Sequence, residues 1–291
     1  MELGSKILGI PSGIAALDDI TLGWQKSDLI LIGGVPAMGN TSLMVSMLNN
    51  IAIKQGVPAA VFSSEDSAKA LMTRLFINVR DLSRGKKISP LDILRQTWAE
   101  YEFLKQSIQD ELDQMEIDFQ TFNVGNFVID DTPGLSVFEI EDRVRSYVNE
   151  YGIEIVFVDN IEFIHYFPQH SLEREKENAE IMHHLKRLAS ELNIVIVAFS
   201  MLKGKSVSQI KKDGLLPMMY QFCNFTEKAF DVVDIICMLH RPEYYKIFTD
   251  NSGKDLHGLG QILVLKNHNN AIGNAWVRFN RKHLRFEDVT D

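Results

Sequence analysis

Asp28-Leu-Ile-Leu-Ile-Gly33 runs directly into Gly34-Val-Pro-Ala-Met-Gly39-Asn40-Thr41-Ser42, and a helical pattern follows over Thr41–Lys54. An apolar strand, a turn bracketed by glycines and a helix have the layout of a phosphate-binding loop: glycine, four residues, glycine, lysine, then serine or threonine. Gly34 and Gly39 let the backbone curl so that its N–H groups face phosphate oxygens, and the helix N-terminus adds its dipole. Thr41 offers a hydroxyl to Mg²⁺, with Ser42 beside it. The lysine's place is taken by Asn40, whose amide carries no charge. A charge-assisted hydrogen bond contributes about 1.5–3 kcal/mol, so phosphate affinity should fall roughly tenfold to a hundredfold or more.

Two further strand ends carry carboxylates suited to such a site. Glu154-Ile-Val-Phe-Val-Asp159 is an apolar strand closing on an aspartate, the arrangement that holds a metal's water shell. Glu65 follows the strand Pro58–Ser63, where a carboxylate can orient or deprotonate an attacking water. Three such elements at three consistent strand ends are improbable by chance.

Around them, short apolar runs alternate with amphipathic helices. Further strands are expected at Asn126–Asp130, Asn193–Ser200, Asp234–Leu239, Gln261–Lys266 and Ala275–Phe279. Helices are expected at Ala68–Asn78, Pro90–Met115, Val137–Tyr151 and Ser171–Leu192. Solid runs of Ile, Val, Leu and Phe suit strands covered on both faces, so the expected fold class is α/β with a mainly parallel sheet. Strands without helices after Gly260 predict an antiparallel C-terminal edge. With no repeat or low-complexity linker, residues 1–291 read as one domain.

Composition narrows the function classes. The longest apolar runs, such as Ile194–Phe199, fall far short of the roughly 18 residues of a membrane span. No secretory pattern opens the chain, and Cys223 and Cys237 are too few for a disulfide framework, so a cytoplasmic protein is expected. Thirty basic against 39 acidic residues disfavour strong solitary binding to nucleic acid, because phosphate neutralisation supplies most of that affinity. The histidines are scattered, and His183-His184 are adjacent on a helix and face different ways, so no structural metal is expected.

The ordered motifs resemble the C-terminal ATPase domain of DnaB-type replicative DNA helicases, which has a RecA-like fold. The resemblance runs over nearly the whole chain: Gly9-Ile-Pro-Ser-Gly13, the phosphate loop, Phe62-Ser-Ser-Glu65, Ile129-Asp-Asp-Thr-Pro-Gly-Leu-Ser136, Leu185-Lys-Arg-Leu-Ala, Pro217-Met218-Met219 and Val233 to Arg241. It implies ATP with magnesium as the ligand, Glu65 and Asp159 as catalytic residues, and a ring in which Lys266 and the late hairpin reach a neighbouring subunit's nucleotide. It also implies single-stranded DNA as a partner. The loop after Phe199-Ser200 lines the family's central channel, which points to Lys203, Lys205, Lys211 and Lys212. Six such loops in a ring would offset the acidic charge locally. The family's N-terminal domain has no counterpart in these residues.

The departures from the family pattern fall on the chemistry. Besides Asn40, Met201 stands at the phosphate-sensing glutamine, Leu216 at an arginine, Glu162 at a glutamine and His268 at the arginine finger. A finger is worth about 10³–10⁵ in rate, and a neutral imidazole carries no permanent charge. Three readings stay open. The chain is a hydrolysis-deficient helicase-domain protein acting by assembly on DNA or with a partner helicase; an active translocase with a rebuilt site; or a RecA-fold regulator that has given up nucleic acid.

Overall fold

A computed structural model describes residues 7–79, 126–166, 173–205, 216–222, 225–250, 252–268 and 271–289. Among these residues nine strands form one sheet in the order β3-β2-β4-β5-β1-β6-β7-β8-β9. They are β1 (Leu29–Gly34), β2 (Ala59–Ser63), β3 (Phe127–Asp130), β4 (Ile155–Asp159), β5 (Val195–Met201), β6 (Ile235–His240), β7 (Leu259–Asn267), β8 (Gly273–Asn280) and β9 (Arg285–Asp288). The first six pair in parallel and the last three run antiparallel, as the sequence leads one to expect.

Every residue of β1, β2, β4 and β6 is buried, which is why these strands read as solid apolar runs. Among the described residues six α-helices accompany them: α1 (Ala15–Thr21), α2 (Asn40–Leu48), α3 (Ala68–Val79), α4 (Val137–Tyr151), α5 (Arg174–Leu192) and α6 (Glu227–Asp231). Helix α2 lies against β1 and β4, and α5 against β1 and β5. Helix α4 is fixed at its start by a reciprocal capping box between Ser136 and Glu139, and stopped by Gly152 at φ 67°.

The strand directions decide where the chemistry falls. In register, Gly34 lies beside Met201, and Ser63 beside Asp159. The C-terminal ends of β1, β2, β4, β5 and β6 therefore gather at one edge of the sheet. Because β7 runs the other way, Asn267 pairs with Ile235 at the opposite edge. Lys266 and His268 accordingly sit about 20 Å from the phosphate loop, the length of a six-residue strand.

Some boundaries depart from the sequence expectation. The helix expected over Thr41–Lys54 starts at Asn40, and its α geometry ends at Leu48; a π turn continues over Asn49–Lys54. Two buried amides accompany the widening: Asn49 donates to Asn78 at 3.0 Å, and Asn50 to the Gly13 carbonyl at 2.9 Å. The helix expected over Ser171–Leu192 is described from Arg174, and the one over Pro90–Met115 lies outside the described residues. The short α1, α6 and β9 fall outside the sequence expectation. Strand β9 is held by tertiary bonds, the Phe286 N–H donating to Ser46 Oγ at 3.0 Å and Arg285 to the Asn78 carbonyl at 2.7 Å.

Candidate functional site

The loop between β1 and α2 needs two left-handed residues to turn, Ala37 at φ 64° and Gly39 at φ 112°. Gly39 also lies under the Phe286 ring: a Cβ there would come within 3.2 Å of it. Helix α2 begins at the next residue, so its free N–H groups open onto the loop. Asn40 does not reach outward. Its Nδ2 donates to the Ser200 carbonyl at 3.1 Å and, at 3.5 Å, to the Gly34 carbonyl. Its Oδ1 is buried without a hydrogen-bond partner. That oxygen stands 2.1 Å from where a Cβ on Gly34 would lie, so a larger residue at position 34 would have to push the Asn40 side chain out of this place.

Thr41 and Asp159 meet beside the loop, the Thr41 hydroxyl donating to Asp159 Oδ2 at 2.9 Å. Burial pushes the Asp159 carboxyl up to about 6, with Glu65 and Asp66 adding to the rise and the Thr41 hydroxyl opposing it. Glu65 is exposed and accepts from Asn160 Nδ2 at 3.3 Å. The structure thus brings Gly34, Gly39, Asn40, Thr41, Ser42, Glu65 and Asp159 to one cleft of about 740 Å³.

The same cleft is lined by further residues, of which only Arg281, a cation of the C-terminal hairpin, stands out in the sequence as a candidate. Arg74, on α3, lies on the side of Glu65 and Asp159, with its Nε 3.0 Å from Asp66 Oδ2. The far wall carries Arg241, Tyr244, Lys246, Phe279 and Arg281. There the Arg241 guanidinium covers the Phe279 ring at 4.0 Å and donates to the Met38 carbonyl at 3.2 Å. No local signal marks Arg74, Arg241, Tyr244 and Lys246, because they reach the cleft from α3 and from the turn after β6, far from the phosphate loop in sequence.

Beyond β5 the sensing position holds Met201, a side chain with no strong donor for a phosphate. Next to it, Glu162 accepts from Ser200 Oγ at 2.5 Å and from the Met201 N–H at 2.9 Å, and burial raises its carboxyl. A bridge between Leu202 and Phe222 then closes over Gly33. Lys203 is exposed at that point, and Lys205 Nζ donates to the Leu216 carbonyl at 2.5 Å. Lys211 and Lys212 lie outside the described residues.

Lys266 and His268 are not brought to the cleft. At the opposite edge, Lys266 Nζ donates to the Phe230 carbonyl at 2.8 Å, at the C-terminal turn of α6. His268 faces Asp234, with Nδ1 3.4 Å from Oδ1, while Lys186 holds the other Asp234 oxygen at 2.6 Å.

The donor set fits the holding of a magnesium nucleotide. The glycine cradle and the N-terminus of α2 are suited to phosphate, and the Thr41–Asp159 pair to the metal's shell. The fit stops short at position 40, where the orphaned Asn40 oxygen, an acceptor, stands in place of a cation.

Comparison with known proteins matches residues 9–288 to the family described as the DnaB-like helicase C terminal domain. The chain is 29% identical over 289 residues to the replicative DNA helicase DnaB of Geobacillus stearothermophilus, covering 98% of this chain and 57% of that protein. It is 28% identical to the replicative DNA helicase DnaC of Bacillus subtilis, covering 97% of this chain and 57% of the relative. The chain therefore spans little more than half the length of these relatives. A solved DnaB-like replicative helicase, described with its interactions with primase, superposes with a TM-score of 0.77 at 21% identity, over 98% of this chain and 63% of that one. A solved ATPase domain gives 0.78 at 21% identity, over 99% and 94%. Among the described residues no helix is long and apolar enough to cross a membrane.

Proposed function

The chain belongs to the DnaB-like helicase C-terminal domain family, and on that premise we propose that it is a replication-related helicase domain that holds magnesium nucleotide weakly and turns it over slowly or not at all. Its work is done by assembly, in a homo-oligomeric ring or with a partner helicase, on single-stranded DNA in the cytoplasm. Residues 1–291 act as one RecA-like domain. The observation that carries this reading is the inward-folded Asn40 side chain, which bonds the loop's own backbone and the end of β5 instead of presenting a charge.

The holding residues are Gly34, Gly39, Thr41 and Ser42 for phosphates and Thr41 with Asp159 for the metal shell. Glu65 remains placed to orient a water, while Met201 and His268 leave the transferred phosphate without its stabilising donors. The far edge supports the assembly part of the reading. Lys266 and His268 face away from this copy's own cleft, so they serve a nucleotide only if another copy lies against that edge. Lys203 and Lys205, with Lys211 and Lys212, supply local positive charge for DNA phosphates.

A second reading, an active translocase with a rebuilt site, is favoured by the cations Arg74, Arg241, Lys246 and Arg281 around the cleft. Calorimetric titration of magnesium ATP, with and without single-stranded DNA, separates the two. Weak binding supports the first. Binding as tight in the wild type as in Asn40→Lys supports the second.

A further inference from the structure

We propose that Asp28, Asp234 and His268 form a binding site for a divalent transition-metal ion of the zinc class, at the edge of the sheet opposite the nucleotide cleft. The topology brings the three together. Parallel β1 and β6 start at this edge and antiparallel β7 ends there, and the three strands are neighbours in the sheet. Asp28 stands just before β1, Asp234 just before β6 and His268 just after β7. Backbone bonds lace these ends, the Asp234 N–H donating to the Leu29 carbonyl at 2.9 Å and the His268 N–H to the Asp234 carbonyl at 3.1 Å. One donor atom from each side chain lies within 4.8 Å of the other two. Such ligands are far apart in sequence, so no spacing marks them.

The side chains are set as ligands are. Asp28 and Asp234 are buried, at 4% and 9% exposure, while the half-exposed His268 leaves an ion its way in. Asp28 is fixed by the Gln25 N–H, which donates to its Oδ2 at 2.9 Å; among the described residues its other oxygen accepts no hydrogen bond. Asp234 is fixed through Oδ2, which accepts from the Leu29 N–H at 2.7 Å and from Lys186 Nζ at 2.6 Å. Its Oδ1 faces His268 Nδ1 at 3.4 Å, wider than an ordinary N–H···O bond. Two ligands each about 2.0–2.2 Å from one tetrahedral ion stand roughly 3.4 Å apart, so the spacing suits a shared metal. Two buried carboxylates against the single Lys186 ammonium leave negative charge for a cation to offset. An imidazole nitrogen beside carboxylate oxygens suits zinc and its neighbours, whereas magnesium and calcium take oxygen ligands.

Titration of the metal-stripped full chain with zinc alone, in the absence of nucleotide, tests the assignment by calorimetry and melting temperature, with cobalt as a visible-absorption probe of coordination. The wild type should take up zinc, melt higher with it, and give cobalt the absorption of a four-coordinate ion. His268→Ala, a change at an exposed side chain, should weaken zinc at least tenfold and remove the melting shift, since even outer-shell partners of a metal are worth about 10–100-fold. Asp28→Asn should do the same. Lys186→Gln, which removes the competing charge, should tighten zinc several-fold. The exposed His257–Asp255 pair and Asp159 in the cleft also offer zinc a carboxylate, so His257→Ala and Asp159→Asn serve as controls. Loss of zinc in either control with His268→Ala unchanged overturns the proposal. So does a wild type that takes up no zinc, whatever the cleft does with nucleotide.

Discussion

Asn40 donates its side-chain amide to the carbonyl of Ser200 at 3.1 Å, tying the first residue of α2 to the end of β5. A residue that would point at phosphate is used instead as an internal strut. Asn40→Lys replaces the strut with a cation. It should tighten nucleotide binding by roughly tenfold to a hundredfold while leaving steady-state turnover low, because Met201 and His268 are untouched. Calorimetry beside a phosphate-release assay checks this, and strong turnover from the single change would contradict it.

Turnover should return only when charge is restored in both places. Combining Asn40→Lys with Met201→Gln and His268→Arg should raise phosphate release far beyond any single change, since a finger alone is worth about 10³–10⁵. The gain from His268→Arg should rise with protein concentration, because position 268 lies at the opposite edge from its own cleft. A gain independent of concentration would argue against action between copies.

Much of this geometry is legible in the residues. The buried strands β1, β2, β4 and β6 announce themselves as unbroken apolar runs, and Gly34, Glu65 and Asp159, at or just past the ends of the first three, line the site. What escapes is whatever depends on distant parts of the chain meeting. Strand β9 has four residues and one buried aromatic, and its place is set by Ser46 and Asn78 rather than by its own pattern. Arg74 and Arg241 look like ordinary helix and strand-end charges until the fold turns them toward the phosphate loop. The folding-back of Asn40 is likewise invisible in sequence, because its acceptor Ser200 lies 160 residues away.

The basic loop gives a salt-dependent prediction. Each lysine that contacts a DNA phosphate contributes about 0.7 to the slope of log affinity against log salt for a single strand. Lys203→Ala should therefore lower both the affinity for an oligothymidine and the steepness of its salt dependence, and Lys211→Ala with Lys212→Ala should extend the loss. An unchanged slope in a titration between low and physiological salt would remove the loop from the DNA path.

His240 sets an acid limit on stability. It is buried against Tyr245, and burial, aided by the nearby charge of Lys205, pulls its pKa down to about 4. The unfolded chain takes up the proton near the ordinary value of about 6.5 while the folded protein resists it. Stability should therefore fall as pH drops from about 6.5 towards 4, by about 3 kcal/mol from this group alone, and be indifferent to it above that window. Urea melts of wild type and His240→Phe across the range isolate the effect, because other titrating groups are common to both. Parallel curves would contradict the assignment.

Whether the degenerate cleft still turns over nucleotide is decided by phosphate release from the wild-type protein when its cleft is filled with magnesium ATP and single-stranded DNA is present. Calorimetry should show occupancy, with turnover near background. Release at the ordinary enzymatic rate of about 1 s⁻¹ or more would contradict it and make the chain an active motor with a rebuilt site.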